Sequence, residues 1–156
     1  MRDLNKEHSD TNERKYAYDF DYWHRDYMLR ALSPFFAGSS ALELGCYKGE
    51  FSKRILKHFN KLTIVEGSSI LAEDTKRTLQ DHENQNHKII CSSFQSVELN
   101  DKFDAIFLMH TLEHLSNPQE ILRRMKTWLK PTGKIFIVVP NANAASRQIA
   151  VGMGLI

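Results

Sequence analysis

The chain is poor in the features that mark several large protein classes. Only two of its 156 residues are cysteines, Cys46 and Cys91. Their separation matches neither a zinc-ligand spacing nor a disulfide framework, so both are expected as reduced thiols, small buried fillers near strand ends in a cytosolic protein. No run is long and apolar enough to cross a membrane. The polar stretch Met1–Lys15 lacks the apolar centre of a secretory leader, which makes the cytoplasm the default expectation. A strong charge is lacking too: 21 Lys and Arg stand against 19 Asp and Glu, a formal net charge of +2, too mild an excess to imply a nucleic-acid partner. What is present is ordinary for one soluble domain, with 42% hydrophobic and 26% charged residues in a chain long enough to bury a sizeable core.

The informative stretch is Ala41–Phe51. Ala41–Leu44 is a short apolar run broken by Gly45, as suits a strand buried in a parallel sheet. Phe51, Ile55 and Phe59 then recur every four residues, predicting a helix that packs on the sheet with Lys53, Arg54 and Lys57 turned to water. Gly45 and Gly49 bracket the intervening turn, where a missing Cβ lets a ligand approach the main chain closely. A tyrosine takes positive φ only at a cost, so the turn is expected to keep an ordinary backbone conformation at Tyr47. Glu43 is the odd residue, because a charge inside an apolar strand is expensive unless a cation or several N–H donors meet it. The dinucleotide fingerprint Gly-x-Gly-x-x-Gly is missing, since counting from Gly45 places Tyr47 and Glu50 at its second and third glycines.

Ahead of this stretch, residues 1–15 read as a mobile polar tail. Tyr16, Tyr18, Phe20, Tyr22, Trp23 and Tyr27 follow, with Trp23, Tyr27 and Ala31 on one helical face as far as Ser33-Pro34, and packing against the sheet is the first expectation for that face. Arg25 and Arg30 read as surface residues. Beyond the glycine turn, Leu62–Val65 is a second strand ending at Glu66-Gly67-Ser68, where a carboxylate can accept both hydroxyl hydrogens of a ribose. Ser68 and Ser69 cap a helix through Leu71 and Leu79. Asp81–Lys88 is a polar loop, Ile89–Cys91 a third strand and Phe103–Met109 a fourth, which runs into His110–Leu115. Asn117, Pro118 and Glu120 form a well-made helix start, Ile121, Leu122, Met125, Trp128 and Leu129 its apolar face, and Lys130–Gly133 its end. Lys134–Val139 is the fifth strand, and Ala144–Ala150 begins another helix. Five strands alternating with helices specify an α/β, doubly wound parallel sheet with right-handed crossovers.

The order of these motifs resembles the class I S-adenosylmethionine-dependent methyltransferases over roughly residues 35–145. The family's acidic-x-Gly-x-Gly-x-Gly run is met by Glu43, Gly45 and Gly49, with Tyr47 in place of the middle glycine. Leu112-Glu113-His114-Leu115 ahead of Asn117-Pro118 is similar to the small-molecule branch, and the Asn/Asp-Pro-Pro-aromatic run of many nucleic-acid amino-methylating relatives does not follow the fourth strand. The resemblance implies a Rossmann-like sheet of order 3-2-1-4-5 with helices on both faces. S-adenosyl-L-methionine would lie across the carboxyl ends of strands one and four. For its binding the resemblance implies Glu43, Gly45, Cys46, Tyr47 and Gly49 around the turn, Glu66 and Gly67 at the ribose, Ser93 and Phe94 at the adenine, and Met109 at the end of the fourth strand. His110 and His114 follow that strand end, where a base would assist an oxygen nucleophile; an amine would need none. The methyl acceptor would be a small molecule, residues 16–34 an aromatic helical lid, and residues 35–156 the cofactor-binding core. A cofactor carboxylate would also be within reach of Arg25 or Arg30.

The family adds two further strands beyond the fifth, so the chain is expected to be truncated at its C-terminal side. An apolar fifth strand, Ile135–Val139, would then be open to self-association. The competing expectation is a non-catalytic module of the same fold that binds a nucleotide or a partner.

Overall fold

The computed structural model describes residues 16–141 and 143–154, apart from the side chains of residues 16–23, 145–147 and 150. The expected tail, residues 1–15, lies outside the described residues, as do the side chains of Trp23 and the aromatics before it. Strands β1 (Ser40–Leu44), β2 (Lys61–Glu66), β3 (His87–Cys91), β4 (Phe103–Met109) and β5 (Leu129–Val138) form one sheet of order β3-β2-β1-β4-β5, parallel throughout. The doubly wound, Rossmann-like order expected from the sequence is therefore the order observed. Helices α1 (Tyr16–Leu32), α2 (Glu50–Ile55), α3 (Ser69–Leu79), α4 (Pro118–Trp128) and α5 (Ala145–Gly152) connect or flank the strands. Among the described residues, no helix is long and apolar enough to cross a membrane.

Because strand side chains alternate between faces, the apolar residues of each strand divide into two cores. Ala41, Ile64, Ala105, Phe107 and Phe136 face one way, under Phe51 and Ile55 of α2 and Leu79 of α3, with Met28, Leu29 and Leu32 of α1 packed against them. Leu42, Leu44, Val65, Ile106 and Leu108 face the other way, under Ile121, Met125 and Trp128 of α4. In the first core Phe36 sits amid Phe59, Phe107 and Phe136, with ring centroids 5.2 to 5.3 Å away. This aromatic knot fixes the segment leaving α1 onto the sheet.

The lower end of the sheet is tied by a carboxylate. Asp104 Oδ2 accepts from Ser39 N and Ser40 N, each at 3.0 Å, and from Ser40 Oγ and Lys130 Nζ, each at 2.8 Å. Partial burial pulls its proton affinity up, but the Lys130, Ser39 and Ser40 hydrogen bonds outweigh that and hold the carboxyl well below the usual carboxylate range. Gly38 (φ 82) makes room, because a Cβ there would lie 2.1 Å from Asp104 Cγ.

Several sequence expectations are corrected. The buried side of α1 is Met28, Leu29 and Leu32, while Tyr27 is 65% exposed and Ala31 is exposed as well. Arg54 does not face water: α1 lies over α2, and Arg54 Nε donates to Asp26 Oδ1 at 2.6 Å while Nη1 donates to Glu50 O at 2.8 Å and Glu50 Oε2 at 3.1 Å. Lys53 and Lys57 are exposed as expected. The third strand starts two residues earlier than its apolar run, because His87 already pairs with Leu62. The turn Lys130–Gly133 does not separate α4 from β5 but is an irregularity inside β5. Phe103 pairs with Leu129 and Ala105 with Lys134, so the ladder skips over the turn. Cys46 is buried, but Cys91 is exposed; both are free thiols.

Candidate functional site

The strand order reverses between β1 and β4, so the crevice beside their carboxyl ends is where the fold offers a site. From β1 the chain passes through Gly45 (φ 78), Cys46, Tyr47 (φ 54), Lys48 and Gly49 (φ 79) into α2. Gly45 N donates to Val65 O at 2.9 Å and Gly49 N to Cys46 O at 3.0 Å, so the turn is tied at both ends. Helix α3 braces it from the side: Thr75 Oγ1 donates to Tyr47 O at 3.0 Å and Thr78 Oγ1 to Lys48 O at 2.7 Å. A Cβ at Gly49 would lie 2.8 Å from Thr75 Cγ2, and one at Gly45 would lie 2.7 Å from Thr111 Oγ1. The β4 exit thus presses directly against the β1 turn.

Tyr47 corrects the expectation of an ordinary backbone. It adopts the left-handed region, held there by the Thr75 and Thr78 bonds to the carbonyls of Tyr47 and Lys48. His110 (φ 49), immediately after β4, is the other non-glycine residue at positive φ among the described residues. Its N–H donates to Val138 O at 2.8 Å, extending the β4–β5 ladder by one residue. Both strained residues therefore lie at the strand ends that flank the switch point, the place where stored backbone strain most often accompanies a site.

Two carboxyl groups lie beneath the turn in different circumstances. Glu66, ending β2, is 7% exposed; its Oε2 accepts from Cys46 N at 3.2 Å and its Oε1 from Ser68 N at 2.9 Å. Glu43 is 1% exposed, and its Oε2 accepts from Ser52 Oγ at 2.5 Å. Among the described residues, neither an ion-paired cation nor a set of N–H donors meets it. Burial pushes the Glu43 carboxyl up to about 8, with the Ser52 bond opposing, Glu66 adding to the rise and Arg25 opposing it. At neutral pH it is therefore a buried neutral acid. The Cys46 thiol, 3.1 Å from Thr75 Oγ1, is pushed up by burial and by Glu43 and Glu66, which makes it unreactive.

Residues 14–152 match the profile of the family described as "Methyltransferase domain". The chain belongs to this family. The match of this methyltransferase domain with the ubiquinone biosynthesis O-methyltransferase of Coxiella burnetii is 32% identical over 110 residues, covering 68% of the chain and 45% of the relative. With the corresponding enzyme of Xanthomonas axonopodis pv. citri it is 27% identical over 127 residues, 81% of the chain and 52% of the relative. The chain thus spans about half the length of the curated relatives it matches. In fold it is similar to the N-methyltransferase NodS of Bradyrhizobium japonicum WM9, solved with S-adenosyl-L-homocysteine. The TM-score is 0.69 at 20% identity, over 79% of this chain and 64% of that one. A likeness to the [4+2]-cyclase SpnF has a TM-score of 0.63 at 20% identity, over 73% of this chain and 43% of that one.

In the methyltransferase domain, the residues proposed from sequence fall into three positions. Gly45, Cys46, Tyr47, Gly49 and Glu66 form one bonded unit around the turn, with Glu43 beneath it and Gly67 following Glu66. Met109 is 8% exposed and packs in the core beneath α2, one residue before the strained His110. Ser93 and Phe94 lie beyond β3. Phe94 is 9% exposed among the residues under α4, and exposed Ser93 makes a local turn, its Oγ 2.6 Å from Ser96 Oγ and accepting from Ser96 N at 3.2 Å. His110 is half-buried with Nδ1 3.8 Å from Glu113 Oε1, while His114 is exposed in the short 3-10 turn Leu112–His114.

Sequence reasoning missed Ser52, Thr75, Thr78 and Thr111. All are short hydroxyl side chains that reach across to other elements, Ser52 to β1, Thr75 and Thr78 to the turn and Thr111 to Gly45, so periodicity carries no mark of them. The spacing of Thr75 and Thr78, three residues apart on one side of α3, is the one available hint.

Proposed function

We propose that the domain binds S-adenosylmethionine and serves methyl transfer to an oxygen or nitrogen of a small molecule. The observation that carries this reading is the bonded unit of Gly45–Gly49 and Glu66 against the β4 exit, at the switch point of a doubly wound sheet. The names of the relatives, an O-methyltransferase and an N-methyltransferase solved with the demethylated cofactor, support it.

The residues fit a nucleoside with an amino-acid tail. Glu66 is held by two main-chain N–H groups, one per oxygen, with the Cys46 thiol also donating to Oε2 at 3.7 Å, so Oε1 is the oxygen that keeps a lone pair for a ribose hydroxyl. The glycines would let the tail approach the turn that Cys46 and Tyr47 line, and Gly67 would border the ribose beside Glu66. Ser93 and Phe94 would border the adenine, and Met109 the donor beneath the β4 exit. The bound cofactor supplies an already activated methyl group, so the protein's task is alignment and exclusion of water. His110 is the nearer candidate base for an oxygen acceptor, its imidazole turned toward Glu113, with His114 the second. Arg54, bonded to Asp26 and Glu50, would seat α1 as one wall of the acceptor side.

Calorimetry with S-adenosylhomocysteine and S-adenosylmethionine, followed by a labelled methyl-transfer screen over small phenols and amines, tests the reading. Absence of binding by both ligands would sink it. A second reading is favoured by a [4+2]-cyclase on the same fold: a domain that binds the cofactor or a partner without turnover. Tight binding with no transfer to any acceptor is its signature. Self-association belongs to the same proposal, since Ile137 and Val139 are exposed at β5, which among the described residues pairs on one side only.

A further inference from the structure

One group at the site has no task in the reading above. Glu43 lies two residues before Gly45 in the central strand, its only hydrogen-bond donor among the described residues is Ser52 Oγ, and no ion pair among them includes it. The ionisable groups that face it are Glu66 from β2, Arg25 from α1 and the Cys46 thiol of the turn. Glu66 accepts from two main-chain N–H groups, whereas Glu43 under the same turn accepts from one hydroxyl. Buried with a single hydroxyl donor, a charged Glu43 would be poorly compensated, and Ser52 is itself fully buried, so solvent does not supply more.

This inference rests on the cofactor reading. We infer that Glu43 senses the charge of the bound ligand: neutral in the free protein, it releases its proton when a sulfonium settles at the β4 exit, which Thr111 presses against the Gly45–Gly49 turn. The cationic methyl donor is then preferred over its neutral demethylated product by a margin that grows with pH. The carboxylate formed beneath the turn gains a cation in a poorly solvated place, where charge pairs interact strongly. Once the methyl group has left, the sulfur is neutral, the carboxylate has lost its partner, and it takes a proton back from solvent. Product is thereby held less tightly than donor without any movement of the chain.

Titration calorimetry of the whole chain from pH 6 to 9, in buffers of different ionisation enthalpy, counts protons released on binding each ligand. At pH 7 S-adenosylmethionine should release up to about one proton more than S-adenosylhomocysteine, and the affinity ratio should rise by up to about tenfold per pH unit. Both differences should vanish in Glu43→Gln. The α-amino group of the ligands titrates nearby, but it is common to both and persists in the variant, so it subtracts out. Equal release by the two ligands, or a difference that survives in Glu43→Gln, overturns the inference and leaves the cofactor reading standing. Failure of both ligands to bind the unmodified chain removes the cofactor reading and this inference with it. Should Glu43→Gln not fold, Ser52→Ala takes its place. Loss of the hydroxyl should move the rise in affinity ratio to higher pH, and an unmoved profile overturns the inference.

Discussion

Asp104 and Glu43 are acids on neighbouring strands at opposite ends of the sheet, and their surroundings differ in every respect. Asp104 accepts four hydrogen bonds at one oxygen, including one from a lysine, and stays ionised. Glu43 has one hydroxyl and holds its proton. The lower end of the sheet spends its polar groups on joining β1 to β4. The upper end leaves a buried acid short of donors and carries both strained non-glycine residues, Tyr47 and His110. Local rules are satisfied where the fold is held and broken where a ligand would bind, the pattern expected of a scaffold that carries a site at one end.

Truncating the satisfied acid should have the largest effect. Asp104→Ala leaves Lys130 and the Ser39 and Ser40 donors without their acceptor, and a loss of about 3 kcal/mol in denaturant unfolding is expected. A loss under ~1 kcal/mol would show that the clasp matters little. Next, Glu66→Ala should weaken S-adenosylhomocysteine by about 2 kcal/mol, the scale of a hydrogen bond to a charged acceptor; unchanged affinity would remove the ribose assignment.

The two acids also predict opposite responses to pH. The folded-state pKa of Glu43 is raised from 4.5 to about 8, so between those values the folded chain keeps a proton that the unfolded chain has released. Stability from Glu43 therefore falls as pH rises through that window. Asp104 is depressed, so its contribution is complete above the unfolded carboxylate value and is lost as pH falls toward its folded one. Melting temperatures from pH 5 to 8.5 should decline less steeply in Glu43→Gln, and an equal slope would contradict the neutral acid. The smallest effect concerns Tyr47. Relief of left-handed strain at Tyr47→Gly is offset by the glycine's added freedom when unfolded, and a net gain of about 0.5 kcal/mol or less is expected. A clear loss would mean that the tyrosine ring contributes more than its backbone strain takes away.

Much of this architecture was legible from residue order. The run Phe103–Met109 forms β4 at the very bounds expected, because the apolar segment Ala105–Met109 is too short for a helix and has polar neighbours. Asn117 and Ser68 cap their helices as anticipated, accepting from Glu120 N at 3.3 Å and Leu71 N at 3.3 Å, since capping is a matter of three adjacent residues. What was illegible depends on distant segments. Arg54 reads as solvent-facing until α1, more than twenty residues earlier, is laid across it. Tyr27 reads as core until the register of α1 turns Met28 and Leu29 inward instead. At the site, Glu66 and the glycines were visible as types at spacings. The neutrality of Glu43 and the left-handed Tyr47 were not, because the first is set by burial beneath distant segments and the second by the Thr75 and Thr78 hydroxyls of α3.

The Asp104 clasp also bears on the order in which the chain can assemble. Strand β1 is central, yet its pairing with β4 joins residues 64 positions apart, as in the bond from Ser40 N to Asp104. By contrast β1 and β2 are linked through a single short helix. The β2–β1 pair can therefore form early, with one edge of β1 bare until β4, which ends at Met109, has been made and folded back. Closing so long a loop is slow, and little is gained until the far strand docks. A carboxylate near the start of β4 that seizes the N–H groups of Ser39 and Ser40, the Ser40 hydroxyl at the start of β1 and Lys130 of β5 sets the register at the moment the strands meet. From there the parallel ladder has only to close upward, toward the turn.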